Sequence, residues 1–185
     1  MSAPEPQPRF TFRPLQRDDM PLMHRWLYVP HVAEWWWTDQ EPTAEDLEEK
    51  YLPRIHGEDP TDCYVIVEDG RDIGYIQSYV IANHPEYAEL VDVEERAAGI
   101  DLFIGEPDRV HRGLGPPLLR QFLRDVVFAN YDVESCIIGP SVKNTSAIHA
   151  YEKAGFSYFK TINVPDEDDP EYLLRIWREE LLGDE

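Results

Sequence analysis

The sequence predicts a single mixed α/β domain, and three observations carry that prediction. A β-branched run at 63–67 is followed by a second strand pattern at 73–81, and Asp69-Gly70 between them suits a tight hairpin. From residue 97 onward, strand and helix periodicities alternate, the pattern expected when helices cover a sheet. No repeat or internal linker divides the 185 residues. One domain of that length buries roughly 70% of the surface its unfolded chain exposes, so it needs no metal or disulfide.

Taken in order, Phe10 and Phe12 alternate with Thr11 and Arg13, which predicts a short strand ended by Pro14. Asp18 and Asp19 before Pro21 mark a helix start, with acidic groups at the positive end of the dipole. Leu22, Met23, Trp26 and Leu27 follow at helical spacing until Pro30 stops the run. The segment His31-Val-Ala-Glu34-Trp35-Trp36-Trp37 is too aromatic for an ordinary loop. Thr43 with Asp46 three residues on has the spacing of a capping box, before a charged helix through Tyr51 that Pro53 ends or kinks. After the hairpin, the acidic stretch from Glu86 to Glu95 predicts a loop or short helix. A strand at 97–105 places Ile100, Leu102 and Ile104 on one face, Asp101 and Phe103 on the other. Leu118, Leu119, Phe122, Leu123, Val126 and Val127 define an amphipathic helix, and a short strand at 135–138 follows. Asn144 caps a helix carrying Ala147, Ile148, Tyr151 and Ala154, with Gly155 at its left-handed end. Strands at 156–162 and 172–177 close the domain, which is assigned to 9–180 between a Pro-rich disordered lead (1–8) and a tail (181–185).

The 17 Lys and Arg against 37 Asp and Glu leave a net charge of −20. Such a field repels phosphate backbones and anionic lipid surfaces and attracts cationic small molecules. Nucleic acid and membrane are therefore not the expected partners. Hydrophobic residues at 42% and aromatics at 12% supply a core and exclude a disordered chain. No apolar run is long enough to span a bilayer, and the N-terminus lacks the basic-then-apolar layout of a secretory signal. Cys63 and Cys136 each sit in an apolar run, as buried thiols of a reducing compartment do, so a cytoplasmic location is expected. The six histidines show neither metal-ligand spacing nor a local nucleophile–base signature; His31 is placed to brace the aromatic segment.

Arg112-Gly113-Leu114-Gly115 lies between the 97–105 strand and the helix after it. Glycines there let the backbone approach a ligand, and helix-start amides point at an anion. By itself this is equally a tight turn, and Pro116 and Pro117 remove two donors that an anion cradle normally keeps.

The wider context adds a resemblance. Asp101 in its strand, the glycine turn, the amphipathic helix, a short strand and then Asn144…Tyr151-Glu-Lys-Ala-Gly-Phe156 form a layout similar to the GNAT superfamily of N-acetyltransferases. Within it the chain resembles the aminoglycoside 6′-N-acetyltransferases. His31-x-x-Glu34-Trp35-Trp36, Gly99-Ile100-Asp101 running into Ile104-Gly105-Glu106-Pro107-Asp108, and the Tyr151–Phe156 stretch carry the finer likeness, over residues 9–178. The resemblance implies the GNAT fold, a mixed and mostly antiparallel central sheet flanked by helices. It also implies acetyl-CoA as cosubstrate with no metal, a cationic amine as acceptor, and antibiotic resistance as a role. Monomer and homodimer are both left open.

The superfamily loop, R/Q-x-x-G-x-G/A, grips the coenzyme pyrophosphate. By resemblance Phe103, Ile104, Arg109, Arg112, Gly113, Leu114, Gly115, Asn144 and Tyr151 contact the coenzyme. There are two departures. Val110 stands where the loop has Arg or Gln, with Arg109 one position early, and Gly139-Pro140-Ser141 replaces a common Asp-Pro-Ser whose carboxylate helps hold the aminoglycoside.

The chemistry sets requirements of its own. An alkylammonium titrates near pH 10 and must lose its proton before its nitrogen can attack a thioester, and the leaving thiolate must gain one. Asp101 is the candidate to bind the amine and accept its proton; the alternative is a strand carboxylate paired with an arginine. Tyr151 is the resemblance's candidate acid, or else a core tyrosine. Asn144 is an N-cap that the resemblance also brings to the coenzyme. Trp36 and Glu34 are expected on the acceptor side. So is Asp166, in the acidic run before Pro170, which otherwise reads as a solvated loop. Two competing functions stay open: an acyltransferase for hydroxylysine-type siderophore precursors, whose relatives carry His at the Asp101 position, and a non-catalytic acyl-CoA-binding domain.

Overall fold

In the computed structural model, which describes residues 9–37 and 40–183, one seven-stranded sheet organises the chain. The assigned lead at 1–8 and the last two residues of the tail lie outside the described residues. The strands are β1 (Phe10–Pro14), β2 (Asp62–Glu68), β3 (Arg71–Val80), β4 (Ala97–Ile104), β5 (Ser135–Ile138), β6 (Ser157–Ile162) and β7 (Glu171–Trp177). Their order is β1-β2-β3-β4-β5-β7-β6, antiparallel throughout except for the parallel pair β4 and β5. The β2–β3 hairpin turns as expected, with Asp69 and Gly70 both at positive φ, 47° and 84°.

Helices α1 (Met20–Leu27), α2 (Pro30–Ala33), α3 (Ala44–Ile55), α4 (Pro85–Val91), α5 (Gly115–Phe122), α6 (Phe128–Asn130), α7 (Thr145–Ala154) and α8 (Arg178–Leu182) complete the fold. A π-helical turn, Leu123–Val127, joins α5 to α6, so the amphipathic run is one longer rod. Alternation along β4 divides its side chains as the sequence predicts. Ile100 joins a core cluster with Leu118, Phe122 and Ile176, while Phe103 joins a second with Trp26, Tyr51 and Tyr75.

Two prolines do more than the sequence reading states. Pro30 opens α2 rather than only ending α1. Val29 is extended before it, and at a helix start the missing N–H leaves no bond unmade. Pro53 lies inside α3, which continues to Ile55. It forfeits one bond, to the carbonyl of Glu49, on an exposed residue of the helix. The domain boundary drawn at residue 180 falls within α8, and Leu181 is fully buried in the core. No described helix is long and apolar enough to cross a membrane.

Candidate active site

β4 and β5 pair only from Ala97↔Ser135 to Gly99↔Ile137, after which they part and the edge of β4 is free of β5. Two cavities of about 660 and 700 Å³ meet there and share Glu34, Trp35, Trp36, Leu102, Asn144 and Tyr151. They are opposite in charge. The first is lined by seven carboxylates, those of Glu34, Asp101, Asp166, Glu167, Asp168, Asp169 and Glu171, with no Lys or Arg among its described residues. The second has Arg109, Arg112, Lys143 and Lys153 with three histidines, and Glu34 as its one carboxylate.

Asp101 belongs to the acidic cavity, and three side chains set its geometry. Strand register places Gln77 of β3 opposite it. The Gln77 Oε1 accepts from Arg54 Nη1 (2.8 Å) and from the Tyr75 hydroxyl (2.7 Å). The guanidinium, which can only donate, determines which end of the amide is oxygen, so its Nε2 donates to Asp101 Oδ2 at 2.9 Å. Among the described residues no arginine pairs directly with Asp101, unlike the structural alternative read from sequence. Burial pushes the Asp101 carboxyl above its ordinary range, opposed by the Gln77 hydrogen bond and by the charges of Arg54, Lys50 and His84. A carboxylate so raised is a better proton acceptor than a free one.

Tyr151 lines both cavities from α7. Burial, then the Asp101 charge, push its phenol well above the usual range, so at neutral pH it is a protonated donor. Asn144 Oδ1 accepts from Ala147 N at 3.3 Å, a true N-cap, and the residue also faces both cavities.

The basic cavity collects the whole glycine loop, residues 109–116, with Phe103 and Ile104. His111 and Gly113 take positive φ there, 57° and 69°. Pro116 and Pro117 occupy the first turn of α5, so the free donors at that end are Gly115 and the loop amides. Three of the expected coenzyme contacts are qualified by local partners. Arg109 is committed to Glu68, its Nε donating to Oε2 at 2.8 Å, which leaves exposed Arg112 as the loop guanidinium with no ion pair among the described residues. The Phe103 ring is in the core, stacked on Tyr75 with 5.6 Å between centroids, so only its backbone edge reaches the gap. The Ile104 carbonyl is bonded to His31 Nε2 at 2.7 Å, which is how His31 anchors the aromatic segment to β4.

The three tryptophans diverge. Trp36 turns its indole N–H to the Tyr51 hydroxyl (3.3 Å) and packs edge-on against Phe103 and Tyr75, leaving part of its ring on both cavity walls. Trp37 lies under the Lys50 ammonium, 4.7 Å from its centroid. Trp35 is the exposed one and lines both cavities, a wall residue that the sequence did not single out. Glu34 is exposed at the shared rim; Asp166, at φ 69°, sits in the acidic cavity with the rest of its run. Lys143 bonds Asp169 at 2.7 Å and so ties that run to the segment before α7. Gln77, Arg54 and Glu171 are site residues that sequence reasoning missed. Only Glu171 had a signal, discussed below. Among the described residues, no three His, Cys, Asp or Glu are grouped to hold a metal.

Comparison with known proteins places this geometry. Residues 16–164 match the acetyltransferase (GNAT) domain family. The chain belongs to the GNAT acetyltransferases. Its sequence is similar to aminoglycoside N(6′)-acetyltransferase type 1 of Klebsiella pneumoniae, 31% identical over 84% of this chain and 78% of that one. It is also similar to the lysine N-acyltransferase MbtK of Mycolicibacterium paratuberculosis, at 26% over 83% and 67%. Among solved structures, AAC(6′)-Ib in complex with paromomycin and acetyl-CoA superposes with a TM-score of 0.79. Identity is 29%, covering 94% of this GNAT chain and 96% of that one.

Proposed function

We propose that this GNAT acetyltransferase moves an acetyl group from acetyl-CoA to a primary amine of a polycationic acceptor, most specifically the 6′-amine of an aminoglycoside. The observation that carries this reading is the meeting of an acidic and a basic cavity at Tyr151, beside Asp101. The basic cavity suits the polyanionic coenzyme. Its glycine loop, Arg112 and Lys153 would hold the phosphates, and the unpaired edge of β4 would face the acyl arm. Acetyl-CoA supplies the activated acyl group as a thioester.

Asp101 binds the acceptor ammonium and takes its proton, directly or through water, and the freed nitrogen bonds to the thioester carbonyl carbon. The C–S bond then breaks, and the departing thiolate takes a proton from Tyr151. The new amide nitrogen sheds its second proton, which returns to Tyr151 through solvent, and Asp101 releases the proton it took to solvent. No covalent enzyme intermediate is needed. AAC(6′)-Ib binding paromomycin supports the aminoglycoside assignment. The lysine acyltransferase likeness keeps other amines in the test.

A thiol-release assay with acetyl-CoA and kanamycin, gentamicin, spermidine, lysine or hydroxylysine tests the reading. Turnover is expected with aminoglycosides bearing a 6′-amine; turnover confined to another amine overturns the acceptor, and coenzyme binding without turnover of any amine overturns the activity. Added salt is expected to raise the acceptor KM, because a chain of net charge −20 draws polycations by a screened field. A KM flat across ionic strength contradicts that steering. Tyr151→Phe is expected to lower kcat by about tenfold or more while leaving the acetyl-CoA KM nearly unchanged, since it removes a proton and not a surface. An unchanged kcat assigns the proton to another donor.

A further inference from the structure

We infer that Glu171, at the start of β7, supplies an acceptor-binding carboxylate in the space beside Gly139, at the end of β5, where the resemblance leads one to expect an aspartate. The inference rests on the acceptor reading above.

The space itself shows the overlap. A Cβ built on Gly139 would lie 2.6 Å from Glu171 Oε2 and 2.7 Å from Leu173 Cδ2. The carboxylate of Glu171 thus occupies the volume that a side chain at 139 would fill, and an aspartate there would force the Glu171 and Leu173 side chains to shift. The backbone holds it in place. Tyr172 N donates to the Pro140 carbonyl at 2.8 Å, Val142 N donates to the Pro170 carbonyl at 3.0 Å, and Ser141 bridges to Glu171. Glu171, Gly139, Pro140 and Ser141 all line the acidic cavity with Asp101.

Glu171 is half-buried, accepts from the Tyr87 hydroxyl of α4, 3.0 Å from Oε2, and shares a hydrogen bond with the carboxyl of Glu167. No Lys or Arg is paired with it among the described residues, so a cation from outside is the natural counter-charge. Burial, with the charges of Glu167 and Asp101 beside it, pushes its carboxyl up to about 8. The sign follows from that shift. The folded protein holds a proton that the unfolded chain releases near 4.5, so this group takes stability away as pH rises between those values, and a bound ammonium would relieve the loss.

Binding of kanamycin to the coenzyme A complex, followed by calorimetry, separates this inference from the catalytic one because no turnover occurs. Glu171→Gln, which preserves shape and removes charge, is expected to weaken kanamycin by about tenfold or more, within the range of a charge-assisted contact, with coenzyme A affinity unchanged. Gly139→Asp placed in a Glu171→Ala background is expected to recover most of the affinity that Glu171→Ala loses, whereas Gly139→Asp alone, forced against Glu171, binds worse than wild type. The inference is overturned if Glu171→Gln binds kanamycin as tightly as wild type, or if the double variant, folded by its thermal transition, is no better than Glu171→Ala. A wild-type complex that binds kanamycin but never acetylates it defeats the proposed activity and leaves Glu171's assignment standing.

Discussion

Replacing Asp101 with asparagine is expected to lower kcat by at least about a hundredfold while leaving the protein as stable as before or slightly more so. Loss of rate follows from chemistry: an amide can neither pair with an ammonium nor take its proton. Retained stability follows from the surroundings. Asparagine keeps an oxygen where Gln77 Nε2 donates, so the hydrogen bond survives. Because burial raises the carboxyl above its unfolded value, the ionised group lowers stability once the pH exceeds that range. The variant escapes this cost at neutral pH, and its advantage shrinks as the pH falls back toward the unfolded carboxylate value. Steady-state kinetics and thermal unfolding at several pH values check both halves. An unchanged kcat removes Asp101 from the mechanism, and a markedly lower Tm returns it to a structural role.

The largest effect on stability is expected at Trp26. Trp26→Ala should cost about 3–5 kcal/mol, the range for emptying a core site of a large aromatic, and lower Tm by roughly 10 °C. Trp26 is 1% exposed, stands edge-on to Phe103, and donates its indole N–H to Glu106 Oε1 at 3.0 Å. Its ring lies flat against Gly105, where a Cβ would fall 2.2 Å from Cγ, so no neighbour can move in to fill the hole without rearranging the end of β4. Glu106 keeps Arg25 and Arg71 as partners, so its charge does not become an orphan. Trp26→Phe separates the two contributions: it retains most of the packing, loses the N–H, and should cost only about 1–2 kcal/mol. Urea unfolding measures both, and a shift under 1 kcal/mol for the alanine variant would falsify the packing argument. The site should feel the same loss, since Phe103 supports Trp36 at the cavity wall.

Much of this architecture is legible in one sequence, for local reasons. Period-two and period-3.6 patterns arise from the geometry of the chain itself, and they locate the strands of the hairpin, β4, and the long amphipathic helix. Asp69-Gly70, Thr43 with Asp46, Asn144 and Gly155 specify turns and caps through bonds spanning a few residues. That Pro30 also opens α2, and that α3 runs past Pro53 to Ile55, was not legible because a proline's effect depends on where in a helix it falls, which the residue alone does not state. α8 escaped notice because five residues carry too little periodicity.

Asp101 and Tyr151 were legible as candidates because each sits in a motif. Their surroundings were not. Gln77 faces Asp101 only through the β3–β4 register, and its amide is oriented by Arg54 from a helix 23 residues earlier. Arg109 looked available to a phosphate until folding brought Glu68 to it across 41 residues. Glu171 shows the division most plainly. The missing carboxylate at 139 could be read directly, but that another strand fills its space could not. Sequence alone determined the elements, the net charge and the residue types that chemistry requires, since these depend on near neighbours or on none. Tertiary structure decided which charges are spent on each other and which face the cavity, because pairing between distant residues depends on strand order and register.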